Sequence, residues 1–326
     1  MTLPERPTGE WDSAYHAPVL VAESLALLGL PRAGGDESHP RVLDGTLGGG
    51  GHSAALLDAG AEVFGLDRDA DAIASARARL ASAEAEGRFH AVLGNYSDVD
   101  SLIALAGLHF DGILLDLGIS SHQIDDPSRG FTFREGAPLD MRMAGRLGEE
   151  TDAADLLNEA DEQELARVFR EYADEHRAPR LAREIVRRRA TQPFATSDDL
   201  VRAIRGALGA RTGPGDFARI FQGVRIAVND ELSGLARALP ALRDRLVPGG
   251  VLAVIAYHSG EDRLVKHAFR EWSAACVCPP RQLQCTCRGA PLGELLTRKA
   301  VVPTEGEAAR NARARSARLR AWRRGE

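Results

Sequence analysis

Between Val42 and Gly118 short apolar runs alternate with stretches of helical spacing, and this alternation restricts the chain to few folds. The runs VLDGT, AEVFGLD, FHAVLGNY and FDGILLDLG have strand length and composition. Between them lie segments such as DADAIASARARL (Asp69–Leu80), which opens on a capping aspartate and propagates on alanine. Parallel strands cannot be joined by tight turns, so strands alternating with helices predict a parallel sheet with crossover helices.

From about Thr151 to Gly215 the strand pattern stops. ADLLNEADEQELARVFREY and PRLAREIVRRRA carry apolar residues at helical spacing, with Pro179 and Pro193 as breaks. A helix near Asn229–Leu246, a turn at VPGG and the apolar strand VLAVIAY (Val251–Tyr257) then restore the first pattern. A strand returning after a helical stretch predicts completion of the first sheet. Residues 141–217 are therefore expected to form an inserted helical domain, with 1–140 and 218–326 as one discontinuous α/β domain. The end, beyond about Cys276, reads as loop followed by a basic tail from about residue 300.

At 44% hydrophobic and 27% charged residues the chain has an ordinary globular composition. MTLPERPTGEWD contains no apolar segment behind a basic start, and no run of ~18 uncharged apolar residues occurs. A cytoplasmic location without membrane contact is expected. The net charge of −6 argues against a polyanionic partner only on average. Seven arginines and no acid lie between Arg310 and Arg324, and HRAPRLAREIVRRR (His176–Arg189) holds a single glutamate. Local basic surface of this kind can bind phosphate, although a solvated helix face is an equal reading for either run.

The strongest chemical signal is Asp44-Gly-Thr-Leu-Gly-Gly-Gly-Gly-His52, directly after Val42 and Leu43. Glycines at a strand-to-helix turn let the backbone approach a ligand closely, and the helix that follows offers free N–H groups. Asp67 closes the second strand, where a carboxylate can accept both ribose hydroxyls of an adenosine. The loop lacks the Gly-Lys-Ser/Thr ending of a triphosphate site. Asp44 at its mouth would repel a pyrophosphate but tolerate the cationic amino end of S-adenosylmethionine. Tyr96 follows the third strand, and Asp116 with the polar run Ser120–Gln123 follows the fourth. In an open parallel sheet these are the ligand-facing ends. Tyr96 is positioned to flank an adenine or simply to pack, and Asp116 to accept hydrogen bonds from cofactor or substrate.

All four cysteines fall in one segment, Cys276-x-Cys278 and Cys285-x-Cys287. Clustered thiols in a reducing compartment suggest a structural zinc site rather than disulfides. Zinc pairs usually have two to four intervening residues, so reduced thiols in a loop are the favoured expectation and no metal ligand is assigned.

HAPVL (from His16), DGTLGGGGHS, GLDRD, DGILLDLGISSHQID, RGFTF with PLDMRM, FQGVRIAVNDEL and NARARSARLR together resemble the 16S rRNA (cytosine N4)-methyltransferase family, RsmH or MraW, over about residues 16–322. The resemblance implies a class I, Rossmann-like S-adenosylmethionine methyltransferase with an inserted helical substrate-recognition domain. It implies N4-methylation of a specific cytidine in the decoding region of 16S rRNA within the small ribosomal subunit. Carried over by motif, the cofactor contacts fall on Gly50, Gly51, His52, Asp67, Tyr96, Asp116 and Gln123. Two motifs depart from the family's usual form: His122 stands where proline is common, and Ala256-Tyr-His-Ser-Gly-Glu-Asp-Arg263 replaces SFHSLEDR.

The acceptor amine of cytosine has its lone pair delocalised into the ring, so a group accepting its N–H assists attack. Asp116 is the candidate, with Asp140, Asn229 and His258 behind it; the Asp/Asn-Pro-Pro-aromatic motif of many amino-methyltransferases is absent. The base must leave its stack, and the arginine runs are expected to grip RNA phosphates. Arg142 is expected near the target or in a salt bridge. A dinucleotide oxidoreductase, another amino-methyltransferase and a non-enzymatic assembly factor are the competing readings.

Overall fold

The computed structural model describes residues 11, 18–30, 39–145, 151–279, 282, 284 and 286–326. They divide into two compact units, Met1–Gly118 with Ser233–Glu326, and Ile119–Leu232.

The first unit is built on a seven-stranded sheet. Its strands are β1 (Arg41–Asp44), β2 (Glu62–Asp67), β3 (Phe89–Leu93), β4 (Phe110–Asp116), β5 (Leu246–Ala256), β6 (Gly293–Leu295) and β7 (Arg318–Arg324), in the order β3-β2-β1-β4-β5-β7-β6. The strands β1 to β5 pair in parallel, as the alternation predicted. Successive side chains leave a strand on opposite faces. Val42, Val63, Leu114, Ala253 and Ile255 accordingly join one core, with Leu56, Ile73 and Ala76 from the crossover helices. Leu43, Phe64, Ile113, Leu115, Leu252 and Val254 join the other, with Leu235, Leu239, Val265 and Phe269. Burial on both faces explains why these strands read as continuous apolar runs.

Asp69 caps the helix Ala70–Arg79 by accepting the Asp71 N–H, so the expected boundaries hold to within a residue. The expected VPGG turn is instead an irregularity inside β5. Phe110 pairs with Leu246 but Gly112 pairs with Val251, and Gly249 takes φ 76° to absorb the extra residues.

The sequence end is not a tail. β7 pairs antiparallel with β5 from Val251↔Arg323 to Ala256↔Arg318, and β6 covers its other side. Arginines at alternate positions hide the strand signal: Leu319, Ala321 and Trp322 between them are fully buried. Trp322 stands edge-on to Trp272, ring centroids 5.2 Å apart, and donates its indole N–H to Ser273.

The second unit is helical, with helices Ala153–Glu159, Glu162–Glu171, Ala178–Arg189, Ser197–Leu208 and Pro214–Val228. Asp152, Asp161 and Thr196 cap three of them. Leu157, Leu165, Phe169, Leu181, Ile185, Leu200 and Ile204 form its core. That core also takes Leu139 and Met141, and Phe217, Ile220, Phe221 and Val224. Leu139 donates its N–H to the Ala195 carbonyl and Ser197 to that of Ala137. Residues 119–140 and 218–232, expected in the α/β domain, thus belong to the helical unit, because their apolar side chains are spent there.

Candidate functional site

The turn after β1 is folded back onto β2 by its own backbone. Leu47 donates to the Leu66 carbonyl and Gly48 to an Asp67 carboxylate oxygen, both at about the usual hydrogen-bond length (2.9 and 2.8 Å). Gly48 and Gly50 both have left-handed φ, 50° and 76°. A Cβ on Gly48 would meet nothing within 4 Å, so open space lies over the loop there. On Gly51 it would come within 3.1 Å of Pro18, which packs directly on the helix start. The helix Gly51–Asp58 begins from this turn.

Two carboxylates frame the turn. Asp67 accepts the N–H of Gly48 on one oxygen and that of Asp69 on the other, at 2.8 and 2.9 Å. Each oxygen keeps a lone pair for a further donor. Burial pushes its carboxyl up to about 6, against the opposing pull of those two N–H groups. Asp44, 1% exposed, accepts the Ser53 hydroxyl at 2.7 Å and the Thr46 N–H. Burial raises its pKa, with the nearby His52 acting against the rise.

Asp116 ends β4 and faces the same turn. Its N–H donates to the Thr46 hydroxyl, Oδ1 accepts the phenol of Tyr257 at 2.8 Å, and Oδ2 lies 3.6 Å from His52 Nδ1. His52 Nε2 meets the Val19 carbonyl at 2.9 Å, and since a carbonyl only accepts, that nitrogen carries the proton. The Tyr257 phenol is pushed far up by burial and by the Asp116 charge, so it remains a donor. Tyr96 opens a short turn after β3 (Tyr96–Asp98), half-buried against the core with its Cβ near Gly45. The structure thus gathers Gly50, Gly51, His52, Asp67, Tyr96 and Asp116 at the carboxyl ends of four adjacent strands. Tyr257 was missed as a site residue, although its position at the end of β5 was the available signal.

Gln123 lies in the helical unit. Its carboxamide oxygen accepts the Ser120 N–H and its nitrogen donates to the Met143 carbonyl, completing a capping box for Ser121–Asp125. Asn229 is buried and bonds Met141, Met143 and Arg225 backbone groups. Arg142 makes a two-pronged pair with Asp140, both bonds 2.9 Å, which is the salt-bridge alternative. In the α/β unit His258 caps Ser259–Trp272, its Nδ1 accepting the Glu261 N–H.

The arginine runs are partly structural. Arg189 donates to the Leu157 and Ala160 carbonyls, Arg177 to that of Leu208, and Arg187 and Arg188 pair with Glu184. Arg320 is buried against Asp262, whereas Arg310, Arg315 and Arg318 are exposed.

The sheet continues past β5 with an antiparallel strand, where the doubly wound dinucleotide fold would add a parallel one. With the glycine turn and acids at the ends of β1, β2 and β4, this defines a class I, Rossmann-like methyltransferase. The chain belongs to the MraW methylase family, whose model matches residues 13–325. The Ribosomal RNA small subunit methyltransferase H of Gemmatimonas aurantiaca is 62% identical over 317 residues, 97% of each chain. That of Heliobacterium modesticaldum is 46% identical over 315 residues, 94% of this chain and 97% of its own. Among the described residues no helix is long and apolar enough to cross a membrane.

Proposed function

We propose that this protein transfers the methyl group of S-adenosylmethionine to N4 of one cytidine in the decoding region of 16S rRNA, within the small ribosomal subunit in the cytoplasm. The observation that carries this reading is the acid-framed glycine turn, in a chain whose 62% identical relative is named a small-subunit rRNA methyltransferase.

The residues fit such a cofactor. Asp67 has free lone pairs for two ribose hydroxyls, and Gly48 leaves its approach open. Tyr96 would flank the adenine, and Gly50, Gly51 and His52 would line the methionine portion. The bound sulfonium supplies an already activated methyl group. The protein's own work is to align the acceptor and keep water out. Asp116 would accept the N4–H of the target cytosine, localising its lone pair and taking the proton as the bond forms. The Tyr257 phenol holds that carboxylate through its hydrogen bond to Oδ1.

The test is methyl transfer from labelled S-adenosylmethionine to unmodified small subunits, followed by nucleoside mass spectrometry. N4-methylcytidine at one 16S position is the expected product. Transfer only to free RNA or DNA would overturn the ribosomal substrate.

A further inference from the structure

The segment between Trp272 and Leu292 leaves the helix Ser259–Trp272 and returns to its starting point, where Leu292 donates to the Trp272 carbonyl at 2.8 Å. Among its described residues none is buried, and Val277 is 41% exposed. Among the described residues, hydrophobic packing therefore does not hold this excursion together. Arg288 ties its return limb to the Glu271, Ala274 and Ala290 carbonyls. Beyond those bonds it is the sulfurs that converge. The Sγ atoms of Cys276, Cys278 and Cys287 all lie within 4.8 Å of one another, on two limbs separated by eight residues.

We propose that Cys276, Cys278 and Cys287 bind a zinc ion that staples this excursion, a structural site separate from the methyltransferase centre. Zn–S bonds of about 2.3 Å in a tetrahedron place two sulfurs about 3.8 Å apart. Cys276 and Cys287 stand at 3.8 Å. A disulfide would need about 2.05 Å. The one-residue spacing that argued against zinc is no obstacle here, since the Sγ atoms of Cys276 and Cys278 already lie within 4.8 Å of each other. The Cys287 sulfur also receives a backbone N–H, donated by Val277 at 3.4 Å. Such a donor favours the thiolate, the form that binds metal. Three soft thiolates select zinc over magnesium or calcium. Cys285 lies outside the described residues and is not part of the assigned site.

The experiment uses the full chain, stripped with chelator under a non-thiol reductant and titrated with Co²⁺. One equivalent should produce sulfur-to-cobalt charge-transfer and tetrahedral visible bands, both bleached by Zn²⁺. Cys278→Ser and the pair Cys276→Ser with Cys287→Ser should lose them. Absence of the bands in the parent chain, or their persistence in the triple serine variant, overturns the proposal. Should the variants fail to fold, alkylation of the parent chain decides. Zn²⁺ should slow modification of these three cysteines at least tenfold, and equal rates with and without Zn²⁺ overturn the site.

Discussion

Tyr257 donates its phenol to Asp116 across the ends of β5 and β4, Oη to Oδ1 at 2.8 Å. A hydrogen bond to a charged group contributes about 1.5–3 kcal/mol, equivalent to roughly tenfold or more in rate if the transition state feels it. Tyr257→Phe should lower single-turnover methyl transfer about tenfold. Asp116→Ala should abolish transfer while leaving the protein folded. Near-normal turnover of the alanine variant would remove Asp116 from the reaction.

Cofactor affinity should depend on pH through Asp67. Its carboxyl, raised to about 6 by burial, must be ionised to accept hydroxyl donors fully. Affinity for S-adenosylhomocysteine is then constant above pH 6 and falls towards tenfold per unit below it, because protons compete for the same oxygens. Calorimetric titration between pH 5 and 8 measures the slope. Asp67→Asn should bind weakly and lose most of that slope; an unchanged slope would assign the titration elsewhere, with buried Asp44 next in line.

The C-terminal strand should be essential for stability. Trp322 is fully buried on Trp272, and truncating a core tryptophan to alanine costs about 3–5 kcal/mol. Denaturant unfolding of Trp322→Ala should show a loss of that size. Removing residues 318–326 should prevent folding, since it strips β5 of its antiparallel neighbour and exposes its edge. A soluble truncation with unchanged stability would restore the picture of a tail.

The exposed arginines before and at the start of that strand should serve RNA instead. Replacing Arg310, Arg315 and Arg318 by alanine should leave the unfolding midpoint within ~0.5 kcal/mol of the parent. It should lower RNA affinity and reduce the salt slope, log K against log salt, by about 2–3. Arg320→Ala should do the reverse, destabilising the fold through the abandoned Asp262. Filter binding at several salt concentrations separates the two outcomes.

Much of the α/β unit was legible because its signals are local. A buried parallel strand writes itself as an apolar run, as in ILLD of β4, and Asp69 announces a helix start by its own chemistry. Asp44, Asp67 and Asp116 followed, since a strand's last residue is fixed once the strand is, and Tyr96 followed from the turn just beyond β3. β7 escaped because alternation of arginine with Leu319, Ala321 and Trp322 looks the same in a solvated tail and in a strand buried on both faces. The domain joins escaped for a related reason: Leu139 and Phe221 are apolar in either unit, and only packing says which core receives them.

Residue order alone determined the parallel sheet, the glycine turn and the acids at its mouth, because backbone periodicity and strand-end position depend on near neighbours. Tertiary structure decided that Tyr257 meets Asp116 from 141 residues away, that Arg320 is buried while Arg318 is free to solvent, and that three of the cysteines converge. Those outcomes depend on which elements lie side by side, and pairings between distant segments leave no periodic trace in a single chain.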